Sequence, residues 1–108
     1  MDIELIDGVA VISLQGSMDI ETAPQIAAFI ERQLNEGHTR LVVDLAGVDY
    51  TSSAGLRALL GSVKEARRRG GDLRLCAARE NVLKVLTLSG FTSIVKHFPD
   101  APAAVRSY

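Results

Sequence analysis

One short apolar run in the middle of the chain limits the possible folds more than any other feature. Residues 41–45, LVVDL, are apolar apart from Asp44 and are rich in β-branched side chains. Such a run is typical of a central strand that is covered on both faces. It lies between two stretches, 23–36 and 54–69, that carry apolar residues at helical spacing. A strand between two helices predicts an α/β fold, since parallel neighbouring strands need long crossover connections.

The rest of the chain continues this alternation of strands and helices. Asp7-Gly8 lies between apolar stretches and predicts a tight hairpin, because both central residues of its turn need positive φ. The remaining elements follow in order, with the hairpin first: strands at about 2–6 and 9–15, a strand at 73–77, a helix around 82–86 ended by Gly90, a short edge strand at 93–97, and a last helix capped by Asp100. We therefore predict a single α/β domain over residues 1–108. Its mixed, largely parallel sheet has four or five strands, with helices packed on it.

Local patterns define the two longer helices. Thr22 and Gln25 have the spacing of a capping box, which predicts the start of the first helix. The second helix carries its apolar stripe at four positions with i, i+3, i+4, i+7 spacing, namely Leu56, Leu59, Leu60 and Val63. This stripe is expected to face the sheet.

Composition and charge exclude several classes of protein. The chain has 108 residues, 47% of them hydrophobic and 23% charged, with a net charge of −1. This balance gives no chain-wide attraction to nucleic acid or anionic membrane, and no apolar run approaches the roughly 18 residues of a spanning helix. No secretory signal is visible at the N-terminus. Cys76 is the single cysteine, so we expect an inert core thiol and a reducing, cytoplasmic location.

The sequence gives little support for a cofactor, metal or nucleic-acid site. Neither of the glycine-rich patterns that cradle nucleotide phosphates occurs. His38 and His97 lie far apart without nearby cysteines or acidic clusters, so both are interpreted as surface residues, and no metal or cofactor is predicted. The basic run at 64–69 suits the negative end of a helix dipole. A nucleic-acid patch is the weaker alternative there, because aromatic residues make up only 5% of the chain.

The junction VDYTSSAGLR, residues 48–57, carries the functional signal. Two adjacent serines lie where a strand passes into a helix. Three roles are open for them: a helix cap, a catalytic nucleophile, or a site that receives a phosphate. The nucleophile interpretation is weak, because Thr51 occupies the place of the first glycine of an elbow motif and no histidine base is evident. One serine suffices to cap the helix. The other would lie near the positive end of the helix dipole, where a phosphate is favourable.

Four segments carry a family resemblance. They are Gly16-Ser17-Met18-Asp19-Ile20-Glu21-Thr22-Ala23, Ser52-Ser53-Ala54-Gly55-Leu56, Gly70-Gly71-Asp72-Leu73-Arg74-Leu75 and Leu86-Thr87-Leu88-Ser89-Gly90-Phe91. In this order and spacing the chain resembles a STAS domain, and specifically the bacterial anti-sigma factor antagonists, or anti-anti-sigma factors. The resemblance covers nearly the whole chain.

This resemblance implies a phosphorylation-switched binding protein rather than an enzyme. By family analogy, Ser53 is phosphorylated by an anti-sigma factor that is also a serine kinase of the histidine-kinase-like ATPase fold. The unmodified form binds this partner, the phosphorylated form releases it, and a protein phosphatase restores binding. The implied partner-binding residues are Asp19, Ser52, Ser53, Ala54 and Gly55. The alternative is a STAS subunit of a lipid-transport complex or of a stressosome-like signalling assembly.

Ser52 departs from the family pattern, which most often has Asp at this place. If that Asp mainly caps the helix, Ser52 replaces it with little loss, because Ser and Asp are comparable caps. If the Asp acts mainly through its charge, Ser52 changes the phosphorylation reaction. We favour the capping role.

Overall fold

A computed structural model describes all 108 residues. Its five strands are β1 (Asp2–Ile6), β2 (Val9–Met18), β3 (Arg40–Thr51), β4 (Asp72–Cys76) and β5 (His97–Phe98). Its four α-helices are α1 (Ala23–Asn35), α2 (Ser53–Arg68), α3 (Glu80–Leu88) and α4 (Ala101–Arg106), with a short 3-10 turn at Phe91–Ser93.

The strands form one mixed sheet in the order β1-β2-β3-β4-β5. β1 and β2 are antiparallel and are joined by the turn at Asp7 and Gly8, whose φ angles are 51° and 79°. All other neighbouring strands are parallel. The predicted hairpin and the largely parallel sheet are therefore confirmed.

Helices cover both faces of the sheet, as the apolar run at 41–45 predicts. Leu41 and Val43 belong to the larger core beneath α1, α2 and α3, whereas Val42 belongs to a smaller core beneath α4. Cys76 lies in the smaller core and is fully buried. Burial raises the pKa of its thiol to about 12, which keeps the thiol protonated and unreactive near neutral pH.

β3 is much longer than predicted, because it continues from 45 to 51 across two irregularities. The β2–β3 register shifts between Ser13 and Gln15 and again between Gly16 and Ser17. At the first shift the Asp44 carboxylate accepts a hydrogen bond from the Ala46 backbone N–H at 2.9 Å. An extra residue in a strand breaks the two-residue alternation of side chains, so no strand pattern was visible there.

Three further predictions need correction. The short edge strand predicted at 93–97 lies instead at His97–Phe98, because the chain before it forms a tight helical turn in which Phe91 and Val95 are buried and joined by a 3.0 Å backbone hydrogen bond. Thr22 lies at the start of α1 but its side chain does not cap it. His97 is half-buried, and its Nε2 accepts the Ala78 N–H at 3.2 Å. Burial lowers the pKa of His97, so the side chain is a neutral structural acceptor near neutral pH.

Candidate functional site

Three parts of the chain meet at the end of the sheet where β2 and β3 terminate. They are the loop after β2, the junction between β3 and α2, and the exposed side of α3. Together they line a shallow surface depression, here called the serine depression, which is formed by Asp19, Ile20, Tyr50, Thr51, Ser52, Ser53, Ala54, Leu56, Val85 and Ser89. Four of the five residues named from sequence as partner-binding lie in it, and Gly55 is buried directly beneath.

The two serines of the junction have different surroundings. Ser52 is the N-cap of α2 in extended conformation, and its Oγ accepts the Gly55 backbone N–H at 3.3 Å. Its own N–H donates to the Met18 carbonyl at 2.8 Å, which fixes the junction to the end of β2. Ser53 is the first residue of α2 and is exposed, and its hydroxyl has no hydrogen-bond partner within the protein. The capping role therefore belongs to Ser52, as the comparison with the family pattern favoured.

Gly55 allows α2 to start close against β2. A Cβ at this position would lie 2.5 Å from the Met18 carbonyl oxygen and 2.8 Å from the Met18 Cβ. Met18 is buried and cannot move away without disturbing the core. The glycine thus sets the distance between the first turn of α2 and the loop that carries Asp19.

Alanine substitutions at two glycines of α2 test whether Gly55 is needed for the close approach of α2 to β2. We expect Gly55→Ala to lower the free energy of unfolding by about 1–3 kcal/mol, since the added methyl group forces the helix start away from β2. Gly61 is the matched control, because a Cβ there meets nothing within 4 Å. Gly61→Ala should raise stability by about 0.5–1 kcal/mol through helix propensity alone. Urea denaturation of the two variants measures both changes, and a stabilised Gly55→Ala variant would contradict the close-contact role.

Asp19 orders the loop after β2. Its Oδ1 accepts the N–H groups of Glu21 at 2.9 Å and Thr22 at 3.1 Å. The Thr22 hydroxyl in turn accepts the Asp19 N–H at 2.9 Å and donates to the Ser17 carbonyl at 2.8 Å. This local network explains why Thr22 is unavailable as a cap for α1. No hydrogen bond joins Asp19 to Ser53, so Asp19 shapes the depression through the loop rather than by holding the serine.

Exposed apolar side chains line the same depression as Ser53, and sequence reasoning did not identify them. Ile20 is 76% exposed, Tyr50 54% and Val85 38%. They come from a loop, a strand end and a helix, and they meet because α3 is tied to β3. The Asn81 side chain donates to the Asp49 carbonyl at 2.8 Å, and the Arg79 Nε donates to the Ala46 carbonyl at 2.9 Å. Apolar side chains that converge on one exposed polar group suit a protein-binding surface.

The basic run lies at the opposite end of α2, and acidic neighbours neutralise part of its charge. Arg68 and Arg69 both bind the Glu65 carboxylate, with closest distances of 2.5 Å and 2.9 Å. The hydrogen bonds from Arg68 and then Arg69 lower the pKa of Glu65 to about 2. Arg67 binds Asp72 at 2.9 Å. The predicted solvated helix end is confirmed, and no group of His, Cys, Asp or Glu side chains is arranged to hold a metal ion.

Comparison with known proteins identifies the family. Residues 1–104 match the STAS domain family. The chain belongs to the STAS domain family. A Bordetella bronchiseptica protein named as the anti-sigma factor antagonist BtrV is 39% identical over 108 residues, a match that covers 100% of this STAS chain and 93% of that protein. Such antagonists are binding regulators rather than enzymes, as the sequence interpretation expects.

Solved structures show the same fold. An anti-sigma factor antagonist from Thermotoga maritima matches with a TM-score of 0.92 at 23% identity, covering 98% of this chain and 92% of that one. The Bacillus cell fate determinant SpoIIAA, in its phosphorylated form, matches with a TM-score of 0.73 at 23% identity, covering 99% and 98%. No helix of this STAS domain has both the length and the hydropathy needed to cross a membrane.

Proposed function

We propose that this STAS domain is an anti-sigma factor antagonist of the bacterial cytoplasm whose binding is switched by phosphorylation of Ser53. In the unphosphorylated state it binds and sequesters an anti-sigma factor, which is also a serine kinase of the histidine-kinase-like ATPase fold. Phosphorylation by this partner releases the complex, and a protein phosphatase restores the binding form. The observation that carries the proposal is a free, exposed serine hydroxyl at a helix start, surrounded by apolar side chains.

Only one hydroxyl of the junction is suited to receive a phosphate. Thr51 is 4% exposed, and its Oγ1 donates to the Ser52 carbonyl at 3.3 Å. Ser52 is committed to the cap of α2. Ser53 has neither constraint, and a kinase can reach it without unfolding the junction.

A phosphate on Ser53 changes binding without disturbing the fold. It adds about −1.5 to −2 charge at neutral pH, and the N-terminus of a helix favours such a charge. The same charge opposes docking of a partner, because a partner that covers Ile20, Tyr50 and Val85 would also have to bury a hydrated dianion. SpoIIAA, which shares this fold, exists in a phosphorylated form, and this supports the same chemistry here.

Phosphorylation by the proposed partner is the direct test. We expect incubation with the proposed anti-sigma factor kinase and ATP to place one phosphate on Ser53. Ser53→Ala should remain unmodified, whereas Ser52→Ala should still be phosphorylated, since its hydroxyl serves only the cap. Tandem mass spectrometry locates the phosphate. A wild-type chain phosphorylated on Thr51 or Ser52, with Ser53 free, would overturn the assignment.

A further inference from the structure

We propose that Arg57 is the residue that holds the phosphate of phosphorylated Ser53, through an ion pair within α2. This inference rests on the proposed function, since it concerns the state of Ser53 after modification. It gives Arg57 the role of a positioning residue for the switch.

The geometry of the helix brings the two side chains together. Ser53 and Arg57 are four residues apart in α2, and both are exposed. Residues at this spacing are neighbours on one helix face. Helical side chains lean toward the N-terminus, so the long Arg57 side chain extends over the turn that begins with Ser53. An acidic group four residues before a basic one is also the more favourable order for such a pair.

Arg57 is the one arginine of α2 without a partner. Arg67 is paired with Asp72, and Arg68 is paired with Glu65. Arg57 forms no ion pair, although it lines a groove between α1 and α2 that also contains Glu31 and Glu65; Glu65 is already paired with Arg68 and Arg69. Its five N–H donors are thus available, and a guanidinium binds phosphate oxygens in a two-point geometry.

Charges around Ser53 direct a phosphate toward Arg57. Asp19, on the loop after β2, is the only charged side chain that lines the serine depression, and α3 contributes only Val85 and Ser89. A phosphate is therefore repelled from the Asp19 side and attracted along α2. Ser52 contributes to this asymmetry, because a neutral cap places no carboxylate beside the phosphate of residue 53. The pair favours the dianion, so the released form carries its full charge near neutral pH.

A titration of the phosphate itself tests the pair. Phosphoserine is incorporated at position 53 during translation, and its ionisation is followed by ³¹P NMR. The second pKa of phosphoserine is about 6 without a partner. We expect Arg57→Gln to raise the second pKa of the phosphate, which shifts its protonation equilibrium by about 1.5- to twofold toward the monoanion, and Arg57→Lys to shift it less. Arg106→Gln is the control, since Arg106 is an exposed arginine on α4, on the other face of the sheet.

Salt provides a second readout. The difference in the second pKa of the phosphate between wild type and Arg57→Gln should shrink in about 1 M salt, where charges are screened within about 3 Å. The proposal would be overturned if the phosphate had the same second pKa in wild type and Arg57→Gln. It would also be overturned if Arg57→Gln and Arg106→Gln changed that pKa equally. Because the phosphate is introduced without a kinase, this outcome is independent of whether a partner phosphorylates Ser53.

Discussion

Ser53→Asp is expected to bind the anti-sigma factor kinase at least about thirtyfold more weakly than Ser53→Ala does. A carboxylate that becomes enclosed in an apolar interface costs about 2–5 kcal/mol, and 2 kcal/mol corresponds to about thirtyfold in affinity. Ser53→Ala keeps the depression neutral and cannot be phosphorylated, so it should bind constitutively. Neither change should unfold the domain, because Ser53 is exposed and an acidic residue is favourable in the first turn of a helix. Isothermal titration calorimetry with the purified kinase measures both affinities.

A control variant separates the effect of a charge at position 53 from the effect of the chain's net charge. Arg106→Gln makes the chain more negative by one charge, as Ser53→Asp does, but on the opposite face of the sheet. We expect its affinity to stay within about twofold of wild type, since surface charges more than about 10 Å apart are largely screened at 0.1 M salt. An Arg106→Gln variant that binds as weakly as Ser53→Asp would show that the depression is not the docking surface.

Leu59→Ala is expected to lower the free energy of unfolding by about 2–5 kcal/mol, the usual cost of truncating a fully buried leucine. Leu59 is 0% exposed in the larger core and anchors the helix that presents Ser53. Leu60, which the apolar stripe placed beside it, is only partly buried. Leu60→Ala should therefore cost less than Leu59→Ala, because fewer contacts and less apolar area are lost.

The midpoint of urea denaturation distinguishes the two leucines. Both substitutions remove the same atoms from adjacent positions of one helix, so helix propensity changes equally. The difference in midpoint then reports burial alone, provided that the slope of the transition is unchanged. An equal loss of stability in the two variants would contradict the observed orientation of α2.

The sequence alone determined the fold class and much of the local structure. Asp7 and Gly8 predicted the hairpin because few residues accept positive φ at both turn positions. The run at 41–45 predicted a strand buried on both faces because no polar face interrupts it. Ser52 or Ser53 predicted the start of α2, and Asp100 that of α4, where its carboxylate accepts the Ala103 N–H at 2.8 Å. Each of these features depends on residues that are close together in the chain.

Tertiary structure alone decided how the site is composed. Sequence favoured Ser52 as the cap of α2, but only the structure shows its N–H donating to the Met18 carbonyl, 34 positions away, which holds the cap in place. It could not show that a loop, a strand end and α3 place Ile20, Tyr50 and Val85 around Ser53, since these side chains share no local pattern. The two register shifts of β3 were likewise hidden, because they exist only relative to β2. Contacts between distant segments follow from how whole elements pack, and no periodicity within a single element encodes them.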